Sequence, residues 1–273
     1  MPSSSRLTPS WRGFINIRKL IVFGDSFSYI GYSSRSPVPT SSSPLGVAFP
    51  GQPVNEPTLP NWLGYLVRDY GHGHANMIAY DYARRGDTVT GVSRDQVSRE
   101  FLPSVGRRPG WAPWGPSDTL FVTWVGANDC RILYTNDKAE ITPIIASLFA
   151  AQDMLYSAGA RNFLFIDIPP LYMSPIGPSM GNKGVRFGNW NDELGRGLSA
   201  FALRHPDATV MLFSAWDTIS RILSDPARYG FNPADRYTQG GSIWFDYMHP
   251  TSRVHNILAG EIAQFLASLP PQA

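Results

Sequence analysis

The sequence predicts an α/β domain built on a parallel sheet covered by helices on both faces. Five short runs rich in apolar and β-branched residues read as strands, at Lys19–Phe23, Ala75–Tyr82, Thr119–Val125, Asn162–Ile168 and Thr209–Phe213. Segments with apolar residues at helical spacing alternate with them, and that alternation favours parallel strands joined by helical crossovers. The tripeptide Gly24-Asp25-Ser26 closes the first run. A serine there lies on a sharp turn at the carboxyl edge of the sheet, where open α/β sheets place their ligands.

Each element follows in turn. Leu20-Ile21-Val22-Phe23 is an unbroken apolar run, as expected of a strand buried on both faces. Pro60–Tyr70 puts Trp62, Leu63, Leu66 and Val67 on one helical face. Ser93–Leu102 carries a fainter helical pattern. Thr142–Ala158 shows Ile145, Leu148, Phe149, Gln152 and Leu155 at helical spacing. Phe187–Arg204 does the same with Leu194, Leu198, Phe201 and Ala202, although Gly188, Gly195 and Gly197 weaken it. Trp216–Leu223 is short, and Thr251–Leu269 closes the chain with Val254, Ile257, Leu258, Ile262, Phe265 and Leu266 inward.

The prolines and glycines fall between these segments, at 31–60, 103–118, 169–186 and 225–245. Such blocks suggest long ordered loops, and three of the four can lie on the carboxyl edge and wall a pocket over Ser26. No break in composition divides residues 18–273, which read as one domain after an N-terminal extension over 1–17 that includes Trp11.

Composition narrows the class. A hydrophobic fraction of 43% over 273 residues suits a globular chain and excludes a disordered one. Net charge is +2, and the basic doublets Arg18-Lys19, Arg84-Arg85 and Arg107-Arg108 are too scattered for a nucleic-acid footprint. The lone Cys130 excludes an intrachain disulfide and a cysteine-based metal cluster. No apolar run approaches the ~20 residues of a membrane span. Residues 1–13 lack the apolar core of a signal peptide, so the chain reads as intracellular. A mature secreted form with an added methionine would look the same.

Near the other end stands Asp246-Tyr247-Met248-His249-Pro250. A serine, a histidine and an aspartate are the parts of a nucleophile–base–orienter triad. A hydroxyl is a poor nucleophile until a base takes its proton, and imidazole titrates near neutral pH. Asp246 precedes His249 by three residues, a spacing that shares one face of a turn, so it can hold one ring nitrogen while the other faces Ser26. Four other histidines compete. His72 and His74 flank Gly73 without a matching ligand cluster, His205 ends a helical pattern, and His255 sits within the last one. Asp25 reads as a turn residue that positions the loop.

These residues resemble the blocks of the GDSL-type esterases of the SGNH hydrolase superfamily. The first block is Phe23-Gly24-Asp25-Ser26-Phe27-Ser28. The second, usually Asn-x-Ala-x-x-Gly, is Asp81-Tyr82-Ala83-Arg84-Arg85-Gly86. The third, Gly-x-Asn-Asp, is Gly126-Ala127-Asn128-Asp129, and the last, Asp-x-x-His-Pro-Thr, runs from Asp246 to Thr251. All four occur in order from Phe23 to Thr251. The ending around Trp244-Phe245-Asp246 is similar to the plant GDSL and fungal carbohydrate-esterase branch. Two positions depart from the pattern. Asp81 replaces the block-two asparagine and puts a local hydrogen bond in question, and Phe27 replaces the usual leucine.

The resemblance implies a flavodoxin-like three-layer α/β/α sandwich with five parallel strands in order 2-1-3-4-5. It also implies an oxyanion hole from the Ser26 N–H, the Gly86 N–H and the Asn128 amide. Glycine lets the backbone approach substrate closely, and an asparagine amide donates without carrying charge.

The expected activity is hydrolysis of a short-chain ester, acetyl foremost, on a small molecule or carbohydrate, with no cofactor, no metal, no nucleic-acid partner and no membrane span. An acyltransferase that passes the acyl group from Ser26 to an acceptor alcohol is the alternative, and a non-catalytic binding module is disfavoured by the joint presence of all five residues. Trp111, Trp114, Trp190 and Trp244 lie in or beside loops and are candidates to wall the substrate pocket, whereas Trp62, Trp124 and Trp216 read as core.

Overall fold

The structure, a computed structural model, describes residues 2–71, 77–133, 135 and 137–272. Its strands are β1 (Ser4–Arg6), β2 (Lys19–Gly24), β3 (Ile78–Asp81), β4 (Thr119–Trp124), β5 (Asn162–Ile166) and β6 (Thr209–Phe213). They form one sheet in the order β1-β6-β5-β4-β2-β3. The five strands from β2 onward pair in parallel and reproduce the expected order. The central strands are apolar on both faces because helices cover both. Leu20, Ile21, Val22 and Phe23 are completely buried, and each such side chain contributes about 1.5–3 kcal/mol of burial.

The helices are α1 (Trp62–Arg68), α2 (Val89–Gly91, running on as a π-helix over Val92–Phe101), α3 (Ala127–Ile132), α4 (Lys138–Ser157), α5 (Gly177–Met180), α6 (Val185–Arg204), α7 (Ala215–Ser224) and α8 (Ser252–Ser268). α1 packs on α8, with α7 beside it, while α2, α4 and α6 pack together as the other layer. The α2 segment carried a faint pattern because its π-helical turns are wider than the period sought in the sequence. α4 begins at Lys138, ahead of the apolar pattern, because the Asp137 carboxylate caps it by accepting from the Ala139 N–H at 2.9 Å. No helix among the described residues is long and apolar enough to cross a membrane.

One expectation needs correction. Among the described residues the sheet has six strands, the sixth being the antiparallel edge strand β1, which pairs Ser5 with Met211. The described part of the extension, residues 2–17, is thus tied to the sheet and the core. The Thr8 N–H donates to Thr209 Oγ1 at 2.9 Å, Trp11 is fully buried, and the Gln272 N–H donates to the Trp11 carbonyl at 2.8 Å. The physical reason is the open edge of β6, whose outward N–H and C=O groups need partners and cover. His72, His74 and the start of the expected strand at Ala75 lie outside the described residues.

β2 is the hinge of the topology. β3 lies on one side of it and β4 on the other, so the chain reverses direction across the sheet at this point. The carboxyl ends of β2, β3 and β4 are therefore adjacent, and the loops that follow them converge at the crevice such reversals open.

Candidate active site

Ser26 is placed by the abrupt end of β2. A side chain at Gly24 would put its Cβ 2.2 Å from the Trp124 carbonyl oxygen, so only glycine allows β2 and β4 to lie this close. The Asp25 N–H still donates to Trp124, at 3.2 Å, and the Asp25 carbonyl then accepts from Ser28 and Tyr29. That tight turn presents Ser26 Oγ 2.7 Å from His249 Nε2.

His249 is held from three sides. Its Nδ1 lies 2.7 Å from Asp246 Oδ2. The other carboxylate oxygen, Asp246 Oδ1, accepts from the backbone N–H groups of Met248 and His249, both at 2.8 Å. Burial raises the Asp246 pKa, but the bonds from the His249 ring and from the two backbone N–H groups outweigh it, and the carboxyl titrates below its ordinary range. An ionised Asp246 assigns the proton to Nδ1 and leaves the Nε2 lone pair to accept from Ser26. Phe27 supplies the third side. Its ring stacks on Trp124 with centroids 5.0 Å apart and lies 5.7 Å from the imidazole. The residue that departs from the family's leucine thus helps fix the histidine.

Gly86 and Asn128 follow β3 and β4, the neighbours of β2. Gly86 has φ of +76° with nothing within 4 Å of its would-be Cβ, so the chain turns there in an uncrowded conformation that glycine adopts without strain. Asn128 is buried and donates one amide hydrogen to the Asp87 carbonyl at 2.9 Å. An amide has two such hydrogens, so one can anchor the side chain while the other is left for a ligand. Asp81 keeps the local bonds its substitution put in question, accepting from Ala83 N at 3.2 Å and Ile30 N at 3.0 Å. Burial pushes its carboxyl well above the ordinary range in spite of these donors.

Other carboxyls beneath the serine are also shifted. Burial pushes Asp25 up to about 8, helped by the nearby Asp129 and Asp87, and Asp129 is pushed up to about 6 by burial. At neutral pH Asp25 is therefore mostly uncharged, which spares a developing oxyanion its repulsion. A linkage effect follows. A carboxyl whose folded pKa is raised contributes stability that is fully present below its unfolded value of 3.8 and is lost as pH rises through about 8. Asp25→Asn removes the ionisation, so its melting temperature should gain on the wild type steadily between pH 4 and pH 8. A constant difference across that window, measured by thermal melts, would contradict the assignment.

The structure brings Ser26, Asp246 and His249 together in contact and places Gly86 on the loop after β3 and Asn128 in the first turn of α3, after β4. It does not bring in the four tryptophans. Trp114 is buried against Phe121 and donates to the Val105 carbonyl. Trp111 is exposed, but both lie in the loop that enters the amino end of β4, at the sheet edge opposite Ser26. Trp244 is fully buried and donates to the Arg236 carbonyl at 2.8 Å. Trp190 is fully buried beneath Gly126, where an added Cβ would meet its indole at 2.2 Å, so it supports the turn before Asn128 from below. Sequence reasoning also placed His255 without a role. It is buried near His249, and burial pushes its imidazole down to about 3.

Residues 20–262 match the family described as GDSL-like lipase/acylhydrolase. The chain is 28% identical over 278 residues to an acetylesterase of Thermothelomyces thermophilus, a match covering 91% of this chain and 88% of the relative. It is 24% identical over 234 residues to a phosphatidylcholine-sterol acyltransferase of Aeromonas hydrophila, covering 83% of this chain and 67% of that one. In fold it resembles an acetylxylan esterase from Geobacillus stearothermophilus, with a TM-score of 0.57, 14% identity and coverage of 92% and 95%.

Proposed function

Because the chain belongs to the GDSL-like lipase/acylhydrolase family, we propose that it is a serine esterase removing acetyl and similarly small acyl groups from alcohols, carbohydrate hydroxyls among them, with Ser26 as nucleophile. Ser26 Oγ attacks the acyl carbon while its proton passes to His249 Nε2. The carbonyl oxygen becomes an oxyanion facing the Ser26 N–H, the Gly86 N–H and the free Asn128 amide hydrogen. Collapse breaks the ester C–O bond, and His249 returns the proton to the leaving alcohol. Water then repeats the sequence on the acyl-enzyme, with Asp246 stabilising the imidazolium in each half. The observation that carries this reading is the unbroken chain from Ser26 through His249 to Asp246, with both links at 2.7 Å. The acetylesterase relative supports the acyl group, and the fold neighbour supports a carbohydrate alcohol.

The anchoring of the loop that follows the nucleophile turn supports a small acyl group. The 31–60 loop is pinned at its end, where Asn61 donates to the Ser28 carbonyl at 2.9 Å while its Oδ1 caps α1. Glu56 of the same loop accepts from Ser252 N at 2.7 Å, directly after the histidine loop. A loop anchored in this way gives way little to longer chains. Each methylene that fits gains about 0.8 kcal/mol, so kcat/KM on nitrophenyl esters should rise to four carbons or fewer and then fall, without interfacial activation. A maximum at eight carbons or more would overturn the short-acyl reading.

Asn128→Ala should lower kcat about 100-fold with little change in KM, since an oxyanion donor acts in the transition state. Steady-state kinetics on nitrophenyl acetate measures this, and an effect confined to KM would assign Asn128 to substrate positioning instead. The match to an acyltransferase favours a second reading, in which an alcohol replaces water in the deacylation half. Adding acceptor alcohols to the same assay separates the two. Transfer product in excess of free acid would favour the transferase.

A further inference from the structure

The π-helical part of α2 carries Gln96, a polar side chain with no exposed surface. Its amide grips both backbone groups of Gly24. Gln96 Oε1 accepts from the Gly24 N–H at 2.9 Å, and Gln96 Nε2 donates to the Gly24 carbonyl at 2.7 Å. Nε2 also donates to Asp87 Oδ2 at 2.7 Å. The carbonyl of that same Asp87 accepts from the Asn128 amide. A continuous run of hydrogen bonds therefore joins the strand end two residues before Ser26, the loop residue next to Gly86, and Asn128.

Gly91 makes room for this run. An added Cβ there would fall 2.0 Å from Asp87 Oδ1, so the carboxylate occupies the space a side chain would fill. Gly91 itself has ordinary helical dihedrals, φ −66° and ψ −42°, so its backbone does not require glycine. Glycine in a helix interior is otherwise unfavourable. Accommodating the Asp87 carboxylate explains its presence.

We propose that Gln96 and Asp87 are positioning residues that lock the nucleophile turn, the Gly86 loop and Asn128 into one rigid oxyanion-binding frame. The proposal rests on the reading of Ser26 as nucleophile and of Gly86 and Asn128 as oxyanion donors. Neither Gln96 nor Asp87 needs to touch substrate. Pre-set donors stabilise an oxyanion without reorganising at the moment of reaction, and small misplacements cost large factors in rate.

Two variants test it, read by the rate at which a fluorophosphonate probe labels the serine and by kcat and KM on nitrophenyl acetate. Gln96→Leu removes all three bonds made by the amide. Gly91→Ala leaves Gln96 intact, favours helix, and drives the Asp87 carboxylate from its place. In both, labelling and kcat should fall about 10- to 100-fold while KM stays within about twofold. The melting temperature of Gly91→Ala should not fall, which separates lost alignment from lost folding. If Gln96→Leu fails to fold, Gly91→Ala still decides the question. A folded variant that labels and turns over at the wild-type rate would overturn the frame and leave the esterase reading standing. Loss of rate only in proportion to loss of folded protein would overturn it equally. A wild-type protein that the probe does not label would overturn the esterase reading and the frame with it.

Discussion

Ser26→Ala is expected to lower kcat by about a million-fold, to the residual rate that binding and oxyanion stabilisation alone provide. The methyl group left behind has no oxygen to attack the acyl carbon, and His249 Nε2 loses its partner at 2.7 Å. His249→Ala should cost about as much, and the double variant little more, because nucleophile and base act as one unit. The fold should survive, since Ser26 Oγ makes its hydrogen bond to His249 at the crevice and the turn around it is held by the backbone bonds of Asp25. Steady-state kinetics together with a thermal melt checks both halves. Retention of more than a tenth of wild-type activity would remove Ser26 from the mechanism.

Asp246→Asn is expected to cost about 10⁴-fold in kcat while leaving the geometry nearly unchanged. The reason is the division of labour between the two carboxylate oxygens. Oδ1 accepts from two backbone N–H groups, so an asparagine must place its carbonyl oxygen there. Its NH₂ then faces His249 Nδ1, where Asp246 Oδ2 now stands at 2.7 Å. A donor at that point forces Nδ1 to accept and moves the ring proton to Nε2. The imidazole can then no longer take the proton of Ser26. A variant with more than about a tenth of wild-type kcat would mean that Asp246 does not set the tautomer.

The parts of this fold legible in the sequence are those specified by local pattern. The apolar runs located all five parallel strands to within a few residues, because strands buried on both faces must be apolar throughout. The four motif blocks placed Ser26, Gly86 and Asn128 just past strand ends and Asp246 and His249 ahead of the last helix, and the parallel topology brings the strand ends to one edge. β1 was not legible, because Ser4-Ser5-Arg6 has no apolar alternation and becomes a strand only by pairing with β6, some 200 residues on. The tryptophans misled for a related reason. Proximity to a loop in sequence says nothing of burial, and Trp114, Trp190 and Trp244 are absorbed by the core. Gln96 carried no signal at all, since a lone amide in a helix is ordinary until the fold brings Gly24 and Asp87 against it.

The most direct test of the central claim is the covalent intermediate itself. The protein is mixed with nitrophenyl acetate, quenched in acid during turnover, digested, and the peptides weighed by mass spectrometry. The expected result is one added acetyl group on the peptide containing Ser26, absent from Ser26→Ala. An acetyl group on a different residue during turnover, or full turnover by Ser26→Ala with no adduct, would contradict an acyl-enzyme at this serine.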